Sequence, residues 1–496
     1  MYKIGFDNEK YIAMQSAHIR ERIDQFGGKL YLEFGGKLFD DYHASRVLPG
    51  FAPDSKIRML IQLKDQAEIV IAINAADIEK NKVRGDLGIT YDLDVLRLID
   101  AFRSFGLYVG SVVLTRWQNQ PAAIKFQTRL ESLGVRVYRH YPIAGYPSEI
   151  SQIVCEDGLG KNDYIETSRS LVVVTAPGPG SGKMATCLSQ LYHDHLRGIR
   201  SGYAKFETFP IWNLPLKHPV NVAYEAATAD LNDVNMIDPF HLEAYGVTTV
   251  NYNRDIEIFP VLNATFERIS GKSPYRSPTD MGVNMAGNCI FDDEAVCRAA
   301  NMEIIRRYYH ALASARQGND GAAEEAEKLK LIMKTSGLEV SDRKVVPAAL
   351  SKAEATGKPA AAIELPDGRV ITGKTSRLLG AASATLLNAL KTIAGIDDRI
   401  NLISPEILEP ITNLKVGILG SKNPRLHPDE LLIALSICAV HDPIAAEAVA
   451  QLPKLRHSEL HSSVILSDND IHTLKKLGIQ LTCEPVYETK RLYHGC

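Results

Sequence analysis

The segment LVVVTAPGPGSGKMATCLSQLYHDHL, residues 171–196, joins an apolar stretch to an amphipathic one through a glycine-rich loop. The run Leu-Val-Val-Val at 171–174 predicts a buried strand, and apolar residues recurring at helical spacing after residue 183 predict a helix. A loop of the GxxxxGK[ST] type holds phosphate in this context, with backbone N–H groups and a lysine as donors. The segment therefore predicts an α/β sheet with a phosphate-binding loop.

Two residues of the loop depart from the phosphate-binding pattern. Pro177 stands where the pattern has its first glycine, and Met184 stands where it has the hydroxyl that binds Mg²⁺. Proline has no N–H, so the loop loses donors, although the residues expected to hold the ligand keep theirs. These residues are Gly178, Gly180, Ser181, Gly182 and Lys183. The alternative is a tight strand-to-helix turn in which the glycines only supply unusual dihedral angles.

Short β-branched stretches alternate with amphipathic ones through the first half of the chain. Strands are predicted at residues 29–34, 67–74, 108–115, 135–140 and 171–176. Such alternation is typical of βαβ units and favours layered sheets over separate runs of strands and helices. We therefore expect an α/β fold whose N-terminal region contains a layered, mostly parallel sheet and the degenerate loop.

The pattern changes twice in the second half. Residues 291–350 are rich in Ala, Glu, Lys and Arg and predict a helical insert, and residues 351–496 predict a second α/β domain. The predicted elements of this last domain are a hairpin turning at Asp367-Gly368, helices at 382–395 and 427–443, and strands at 414–420 and 462–467. The expected domains are thus 1–290, 291–350 and 351–496, and a division of the first into 1–165 and 166–290 stays open.

Composition excludes several classes of protein. The net charge is −3 from 56 basic and 59 acidic side chains, and no basic block is present that would follow a nucleic-acid backbone or an anionic membrane. Seven cysteines without a CxxC pair are typical of reduced thiols. The N-terminal residues carry charges where a secretion signal needs an apolar core, and no apolar run is long enough to span a membrane. We expect a cytoplasmic protein with neither nucleic acid nor membrane as partner.

Further candidate residues lie within a second motif, YAKFETF at 203–209, and in a later irregular stretch. Lys205 and Glu207 are two residues apart, so a strand would put both side chains on one face, where the lysine could contact a phosphoryl group or a substrate. The alternative is an incidental ion pair on an exposed strand. Residues 271–293 form the longest stretch without a clear period, in which Arg276 could bind phosphate and Asp280 could act as a base. A plain interdomain linker is the alternative for this stretch.

Two acidic residues are candidates for a metal site. Asp230 and Asp233 would share a face if they lie on one helical turn, and two carboxylates near a phosphate could hold Mg²⁺ through water. Helix caps in a solvated loop account for the same residues without metal, and this simpler interpretation is favoured for either aspartate alone.

A histidine-rich stretch near the C-terminus raises the question of zinc. His457, Glu459 and His461 alternate in HSELH, so a strand would place all three on one face. Zinc proteases instead carry HExxH on a helix, with the histidines one turn apart, and this sequence lacks that motif. The alternative to a metal site is a polar strand end.

Four strings together resemble a known family: APGPGSGKM at 176–184, GYAKFETFPIWNLPLKHPVN at 202–221, PTDMGVN at 278–284, and HSSVILSDNDIHTLKKLGIQLTCEP at 461–485. They resemble the bacterial family called domain of unknown function 1846, over essentially the whole chain. The resemblance implies a two-part layout whose C-terminal part has a three-layer α/β topology similar to cytidine deaminases. Members have sometimes been labelled ATP-dependent zinc proteases, but this sequence has no HExxH, and the positions that a zinc deaminase would fill with His-x-Glu and CxxC carry neither.

The leading functional expectation is an enzyme that binds ATP or another phosphorylated ligand at the loop and transfers or activates a phosphoryl group on a small molecule, with Mg²⁺ as a candidate ion. Lys183, Lys205 and Asp280 are the candidate catalytic residues. One alternative is a non-catalytic metabolite-binding or assembly protein that forms homo-oligomers through the helical region. The other is a zinc-dependent hydrolase using His457, Glu459 and His461.

Overall fold

The computed structural model describes residues 3–36, 38–39, 41–84 and 87–489. The chain forms two compact units. The N-terminal unit consists of residues 5–225 and 233–297, and the C-terminal unit consists of the described residues among 1–4, 226–232 and 298–496.

The N-terminal unit contains most of the strands. Its elements are, in chain order, α1 (Asn8–Gln25), β1 (Leu30–Phe34), α2 (Tyr42–Val47), α3 (Ser55–Gln62), β2 (Ala67–Asn74), α4 (Ala75–Glu79), β3 (Val83–Arg84), β4 (Ile89–Thr90), α5 (Tyr91–Ser104), β5 (Tyr108–Thr115), α6 (Pro121–Ser132), β6 (Arg136–Arg139), α7 (Ile150–Ile153), β7 (Leu171–Thr175), α8 (Lys183–Leu196), β8 (Gly202–Phe206), α9 (Pro219–Ala227), β9 (Asn235–Ile237), α10 (Pro239–Tyr245), β10 (Val250–Tyr252), α11 (Asn253–Ser270), α12 (Pro278–Met281) and β11 (Gly282–Val283). The last residues of α9 belong to the C-terminal unit.

Seven of these strands form one sheet in the order β11-β8-β1-β7-β2-β5-β6, and all neighbours pair in parallel. Every residue of β1, β2 and β7 is buried, as expected for a parallel sheet that is covered on both faces. On one face, Val172 and Val174 of β7 pack in a core cluster with residues of α8 and α11. The predicted strands and the predicted parallel sheet are confirmed, and β7, the strand before the glycine-rich loop, lies in the middle of the sheet.

The C-terminal unit is built from helices and a smaller sheet. Its elements are α13 (Asp293–Arg316), of which residues 293–297 belong to the N-terminal unit, α14 (Ala322–Thr335), α15 (Val345–Thr356), β12 (Ala360–Glu364), β13 (Val370–Lys374), α16 (Ala381–Ala394), α17 (Pro405–Thr412), a π-helix (Asn413–Ile418), α18 (Pro428–Cys438), α19 (Pro443–Ala450), β14 (Glu459–Ser462), α20 (Asp468–Lys476) and β15 (Gln480–Cys483).

The smaller sheet has the order β13-β12-β14-β15, with β12 antiparallel to both neighbours and β14 parallel to β15. Ala361 and Ile363 share a core cluster with Leu386 of α16, whereas Ala362 packs against α15. Successive residues of a strand face opposite sides, so helices cover both faces of this sheet. The expected three-layer C-terminal domain is confirmed, and the predicted helical insert corresponds to α13 and α14.

Two strands predicted for the C-terminal region are wrong. The stretch 414–420 continues α17 as a π-helix, and Ile418 and Leu419 are exposed there because the run has no strand to pair with. The strand predicted at 462–467 lies instead at Glu459–Ser462. Three of the four residues of this strand are polar, and Glu459 is held by ionic contacts, so a search for alternating apolar residues misses it. No helix in the described part of the chain is both long and apolar enough to cross a membrane.

A buried charge network fixes β14. The side chain of Arg343 is fully buried, and its Nε and Nη2 donate to Glu459 Oε2 at 3.1 and 2.8 Å. Nη2 also donates to the carbonyl of Gln480 at 2.8 Å. Arg306, which is itself paired with Glu303 at 2.9 Å, binds the other oxygen of Glu459. Since a buried ion pair is costly to leave half-made, this network should control the stability of the C-terminal unit.

We expect Arg343→Leu to lower the free energy of unfolding by about 3–5 kcal/mol, because it leaves the Glu459 carboxylate under-compensated in a dry site. Lys344→Leu is the matched control, since the next side chain is two-thirds exposed and its pair with Glu364 should contribute about 1 kcal/mol or less. Urea denaturation followed by circular dichroism measures both. Equal shifts of the two variants would contradict a stabilising role for the buried network.

Candidate functional site

The glycine-rich loop lies at the edge where the parallel strands end. β7 runs between β1 and β2, and β5 follows on the far side of β2, so the carboxyl ends of these strands meet at one edge. Gly35 follows β1, and Thr115 is the last residue of β5. The hydroxyl of Thr115 donates to the carbonyl of Ser181 at 2.8 Å, which ties the loop to this edge. Ligands of open α/β sheets bind outside the carboxyl ends of strands.

Each glycine of the loop has a local reason to be glycine. Gly182, with φ +84°, precedes α8, and a Cβ there would lie 3.1 Å from the side chain of Thr115. A Cβ at Gly178 would lie 2.3 Å from the hydroxyl of Tyr91. Gly180 has φ +74° and open space around it. The turn geometry accounts for all three, so the glycines alone do not argue for a ligand.

The backbone donors of the loop are a separate observation. Within the described residues, no N–H of Gly178, or of the residues from 180 to 185, donates to another group of the protein. The first four N–H groups of a helix have no partner inside the helix, and these add to the donors of the loop. The side chain of Lys183, the first residue of α8, makes no ion pair or hydrogen bond among the described residues and is half-buried. Unpaired donors and a cation thus lie together.

The hydroxyls near the loop are engaged within the protein. Ser181 is buried and donates to the carbonyl of Gly178 at 2.8 Å. Thr186, also buried, donates to the carbonyl of Gly182 at 3.0 Å. Met184 offers no hydroxyl. The loop therefore presents N–H donors and an ammonium group rather than oxygen ligands for a metal ion.

Lys205 lies in a buried cluster of carboxylates rather than on an exposed strand. Its Nζ is 2.7 Å from Glu207 Oε1 and also binds Asp255 in the first turn of α11. Burial opposes the charge of Lys205, but the surrounding carboxylates, led by Asp255, outweigh burial and raise its pKa. Burial raises the pKa of Glu207 to about 7, with Lys205 opposing and Asp255 reinforcing the shift. Glu207 can therefore gain or lose a proton near neutral pH.

The cluster lies on the same face and toward the same edge of the sheet as the start of α8. The register pairs Lys205 with Glu33 of β1, and Glu33 with Val174 of β7, so the three side chains share one face. Val174 packs in the core cluster with residues of α8. Two strand spacings of about 4.8 Å each put Lys205 on the order of 10 Å from β7. Lys183, Lys205 and Glu207 therefore belong to one region.

Arg276 and Asp280 are placed elsewhere. Asp280 accepts hydrogen bonds from the hydroxyl of Tyr245 and the backbone N–H of Arg276, both at 2.9 Å. The guanidinium of Arg276 is exposed and lies 4.9 Å from the centre of the Tyr245 ring. Because α12 precedes β11, Asp280 lies on the amino-end side of that strand, whereas the loop lies past the carboxyl end of β7. The structure does not bring these two residues to the loop.

The two candidate magnesium ligands belong to different units. Asp233 is buried in the N-terminal unit and forms an ion pair of 2.6 Å with Arg254. Asp230 belongs to the C-terminal unit, where it lines an acidic pocket with Asp320, Gly321, Glu324, Glu325 and Lys328. Asp230 and Asp233 therefore do not form a pair of metal ligands within either unit.

The histidines of HSELH do not converge on one point. Glu459 is held by the two arginines of the buried network, and the ring of His461 contacts Thr482 at 2.8 Å and Glu484 at 3.2 Å. His457 lies before β14 in a left-handed conformation with φ +68°. Among the described residues, the one group of three His, Cys, Asp or Glu with ligand atoms close together is a different one: His218, Asp293 and Cys297.

Comparisons with known proteins place the whole chain in one family. Residues 4–337 match the model of "Domain of unknown function DUF1846, N-terminal", and residues 341–493 match "Domain of unknown function DUF1846, C-terminal". The chain belongs to the DUF1846 family.

The DUF1846 chain has relatives of the same length, each called "UPF0371 protein". That of Streptococcus sanguinis (strain SK36) is 60% identical over 494 residues, which cover 99% of this chain and 100% of the relative. That of Streptococcus pneumoniae (strain P1031) is 59% identical over 493 residues, with the same coverage. Their names state no activity, so the function of this DUF1846 protein must be inferred from its geometry.

Sequence reasoning missed three participants of the region. Glu33 lies inside an apolar strand and Asp255 opens a helix 50 residues after Lys205, and neither belongs to a motif. Tyr91, whose hydroxyl lies against Gly178, is the first residue of α5. A charged residue inside an otherwise apolar strand is the available signal for Glu33, because buried carboxylates need partners.

We expect Gly182→Ala to destabilise the protein more than Gly134→Ala. Both glycines have positive φ, which costs an alanine about 1–2 kcal/mol. The space around Gly134 is open, whereas a Cβ at Gly182 also presses against Thr115. Urea denaturation of the two variants gives the difference. A larger loss for Gly134→Ala would show that the contact between the loop and β5 is loose.

Glu207 should make stability depend on pH. Its pKa is about 7 in the folded chain, above the ordinary value of 4.5, so its contribution is fully present below pH 4.5 and is lost as pH rises through 7. Glu207→Gln lacks this loss, so we expect the unfolding free energy of the variant, relative to that of the wild type, to rise from pH 4.5 to about 7 and to level off above pH 7. Denaturation curves at several pH values test this. A constant difference between the two proteins would contradict the raised pKa.

Proposed function

We propose that the carboxyl edge of the seven-stranded sheet binds a phosphorylated small molecule or nucleotide, with residues 178–183 holding a phosphate group. The proposal rests on one observation: within the part of the chain that the structure describes, the backbone N–H groups from Gly178 to the first turn of α8 and the ammonium of Lys183 have no partner. Helix N-termini attract anions through these N–H groups and through the helix dipole. A helix of 14 residues gives this end a full dipole.

The two lysines have different tasks in this proposal. Lys183 is unpaired within the described residues and supplies positive charge to the phosphate. Lys205 is already neutralised by Glu207 and Asp255, so it positions these carboxylates rather than binding phosphate itself. Because Met184 and the engaged Ser181 hydroxyl provide no free oxygen ligand, phosphate binding does not depend on Mg²⁺ in this proposal.

The environment of Glu207 supports transfer of the phosphoryl group as a second candidate function. A general base works best when its pKa lies near the operating pH, and burial raises the pKa of Glu207 to about 7. In this candidate, Glu207 accepts the proton of an acceptor hydroxyl while Lys183 balances the charge of the phosphoryl oxygens. Non-catalytic binding of a metabolite stays the simpler alternative.

Binding is tested with Lys183→Ala. We expect wild-type protein to be stabilised against heat by inorganic phosphate or by at least one of ATP, ADP and sugar phosphates, since a ligand of the folded state raises the melting temperature. Lys183→Ala should weaken that binding by roughly tenfold to a hundredfold, as a charge-assisted hydrogen bond is lost. EDTA should leave the affinity unchanged.

Lys125→Ala is the matched control, because this lysine lies on the exposed side of α6 in the same unit. It should bind as the wild type does. Equal affinities of Lys183→Ala and wild type for every ligand tested would refute the proposal. Glu207→Gln separates the two candidates: retained binding with lost turnover supports transfer, and absence of turnover in the wild type supports binding alone.

A further inference from the structure

A second cluster of reactive side chains lies in the N-terminal unit outside the phosphate region. His218 directly precedes α9, and Asp293 and Cys297 lie one turn apart at the start of α13. We propose that His218, Asp293 and Cys297 form a binding site for a divalent transition metal of the zinc type. The site is independent of the proposed phosphate binding.

The distances within the cluster are within about 0.3 Å of those that a tetrahedral ion requires. His218 Nε2 lies 3.0 Å from Asp293 Oδ1, and Cys297 Sγ lies 3.4 Å from His218 Nε2 and 3.7 Å from Asp293 Oδ2. Tetrahedral bonds of about 2.0–2.3 Å place ligand atoms about 3.3–3.6 Å apart. The two contacts of Asp293 use different carboxylate oxygens, but one ligand atom from each of the three residues lies within 4.8 Å of the others, so small side-chain adjustments bring three donors around one ion.

The donor set selects the class of metal. One thiolate, one imidazole and one carboxylate suit zinc and its neighbours, whereas Ca²⁺ and Mg²⁺ prefer oxygen ligands alone. His218 is almost fully buried and Cys297 is partly buried, but the Asp293 side chain is 68% exposed. The fourth position of the ion thus faces solvent, and water completes the tetrahedron.

Metal binding changes the hydrogen bonds of His218. The N–H of Val220 donates to Nδ1 at 3.2 Å, so Nε2 carries the proton in the metal-free ring and donates it to Asp293. A metal at Nε2 displaces that proton to Nδ1, and the bond with Val220 is lost. The hydrogen bond from Nε2 to Asp293 is lost as well, so two hydrogen bonds of His218 are exchanged for metal–ligand bonds. The Cys297 thiol releases its proton to solvent because thiolate is the ligand form.

A catalytic triad and a hydrogen-bonded helix start are the alternatives to a metal site. In a catalytic triad, the base contacts the nucleophile through one ring nitrogen and the acid through the other. Here Cys297 and Asp293 both contact Nε2 of His218, so the geometry does not make Cys297 an activated nucleophile. A hydrogen-bonded start of α13 would need no ion, since the helix dipole alone favours an acidic residue there. Metal binding by the folded protein distinguishes this second alternative from the proposed site.

The test uses the full chain without an affinity tag, stripped with chelator and titrated with Zn²⁺ against a chromophoric competitor, and in parallel with Co²⁺. We expect one ion per chain and a thiolate-to-cobalt charge-transfer band in the near ultraviolet. Cys297→Ser should remove the band and weaken zinc binding by at least about a hundredfold, because loss of a group that only orients a ligand already costs about 10–100-fold. Asp293→Asn should also weaken binding and change the cobalt spectrum.

Cys155→Ser is the matched control, because this partly buried thiol of the same unit lies outside the cluster. It should bind like the wild type. Absence of stoichiometric metal or of the thiolate band in the wild type would overturn the proposal in favour of a hydrogen-bonded helix start. Unchanged binding by Cys297→Ser, or an equal loss in Cys155→Ser, would overturn it in favour of a site elsewhere in the chain. The wild-type spectrum decides the matter even if a variant fails to fold.

Discussion

Pairing of β7 on both of its sides determines where the functional groups of the N-terminal unit can lie. β7 bonds in parallel to β1 and to β2, so its carboxyl end opens in the middle of the sheet. The loop after it must turn at once into α8, because that helix covers the buried face of Val172 and Val174. The first N–H groups of any helix have no partner inside the helix, and within the described residues those at the start of α8 donate to no other group, so this sheet edge carries free donors.

Much of this arrangement can be predicted from the sequence. The strands predicted at 67–74 and 108–115 have the bounds of β2 and β5, because buried parallel strands are nearly continuous apolar runs. The strand β14 cannot be predicted in this way. Its first residue, Glu459, is paired with Arg343, more than 100 residues away in the chain, and local apolar alternation carries no information about a distant charge. The apolar stretch 414–420 fails for the opposite reason, because it has the composition of a strand but no strand beside it.

In the candidate site, too, some features can be predicted from the sequence and others cannot. The loop can be found because its glycines, lysine and flanking elements are contiguous in the sequence. The carboxylates around Lys205 come from β1, the end of β8 and α11, so only the folded sheet brings them together. Arg276 and Asp280 lie in a long irregular stretch. Whether such a stretch lies at the amino ends or the carboxyl ends of the strands depends on the direction of the strands in the folded sheet. The pattern of residues along the sequence does not show at which end of the strands this stretch lies.

The two buried charge networks differ in balance. Around Glu459, two arginines meet one carboxylate that is shared between them, and a further glutamate completes the set. Around Lys205, the carboxylates of Glu33, Glu207 and Asp255 outnumber the single ammonium group. Glu303 also binds Arg307 at 3.3 Å, so each carboxylate of the first network is paired with two arginines, which suits a structural role. In the second network, burial raises the pKa of Glu207 to about 7 and the negative charge of Asp255 reinforces the shift, so this residue titrates near neutral pH.

The contact between Gly178 and Tyr91 links the loop to the start of α5. The tyrosine hydroxyl fills the volume that any side chain at position 178 would need, so the two positions cannot vary independently. In an evolutionary comparison of related chains, a larger residue at 178 should therefore occur only together with a smaller one at 91. Such paired changes would show that selection maintains the close contact between the loop and the start of α5.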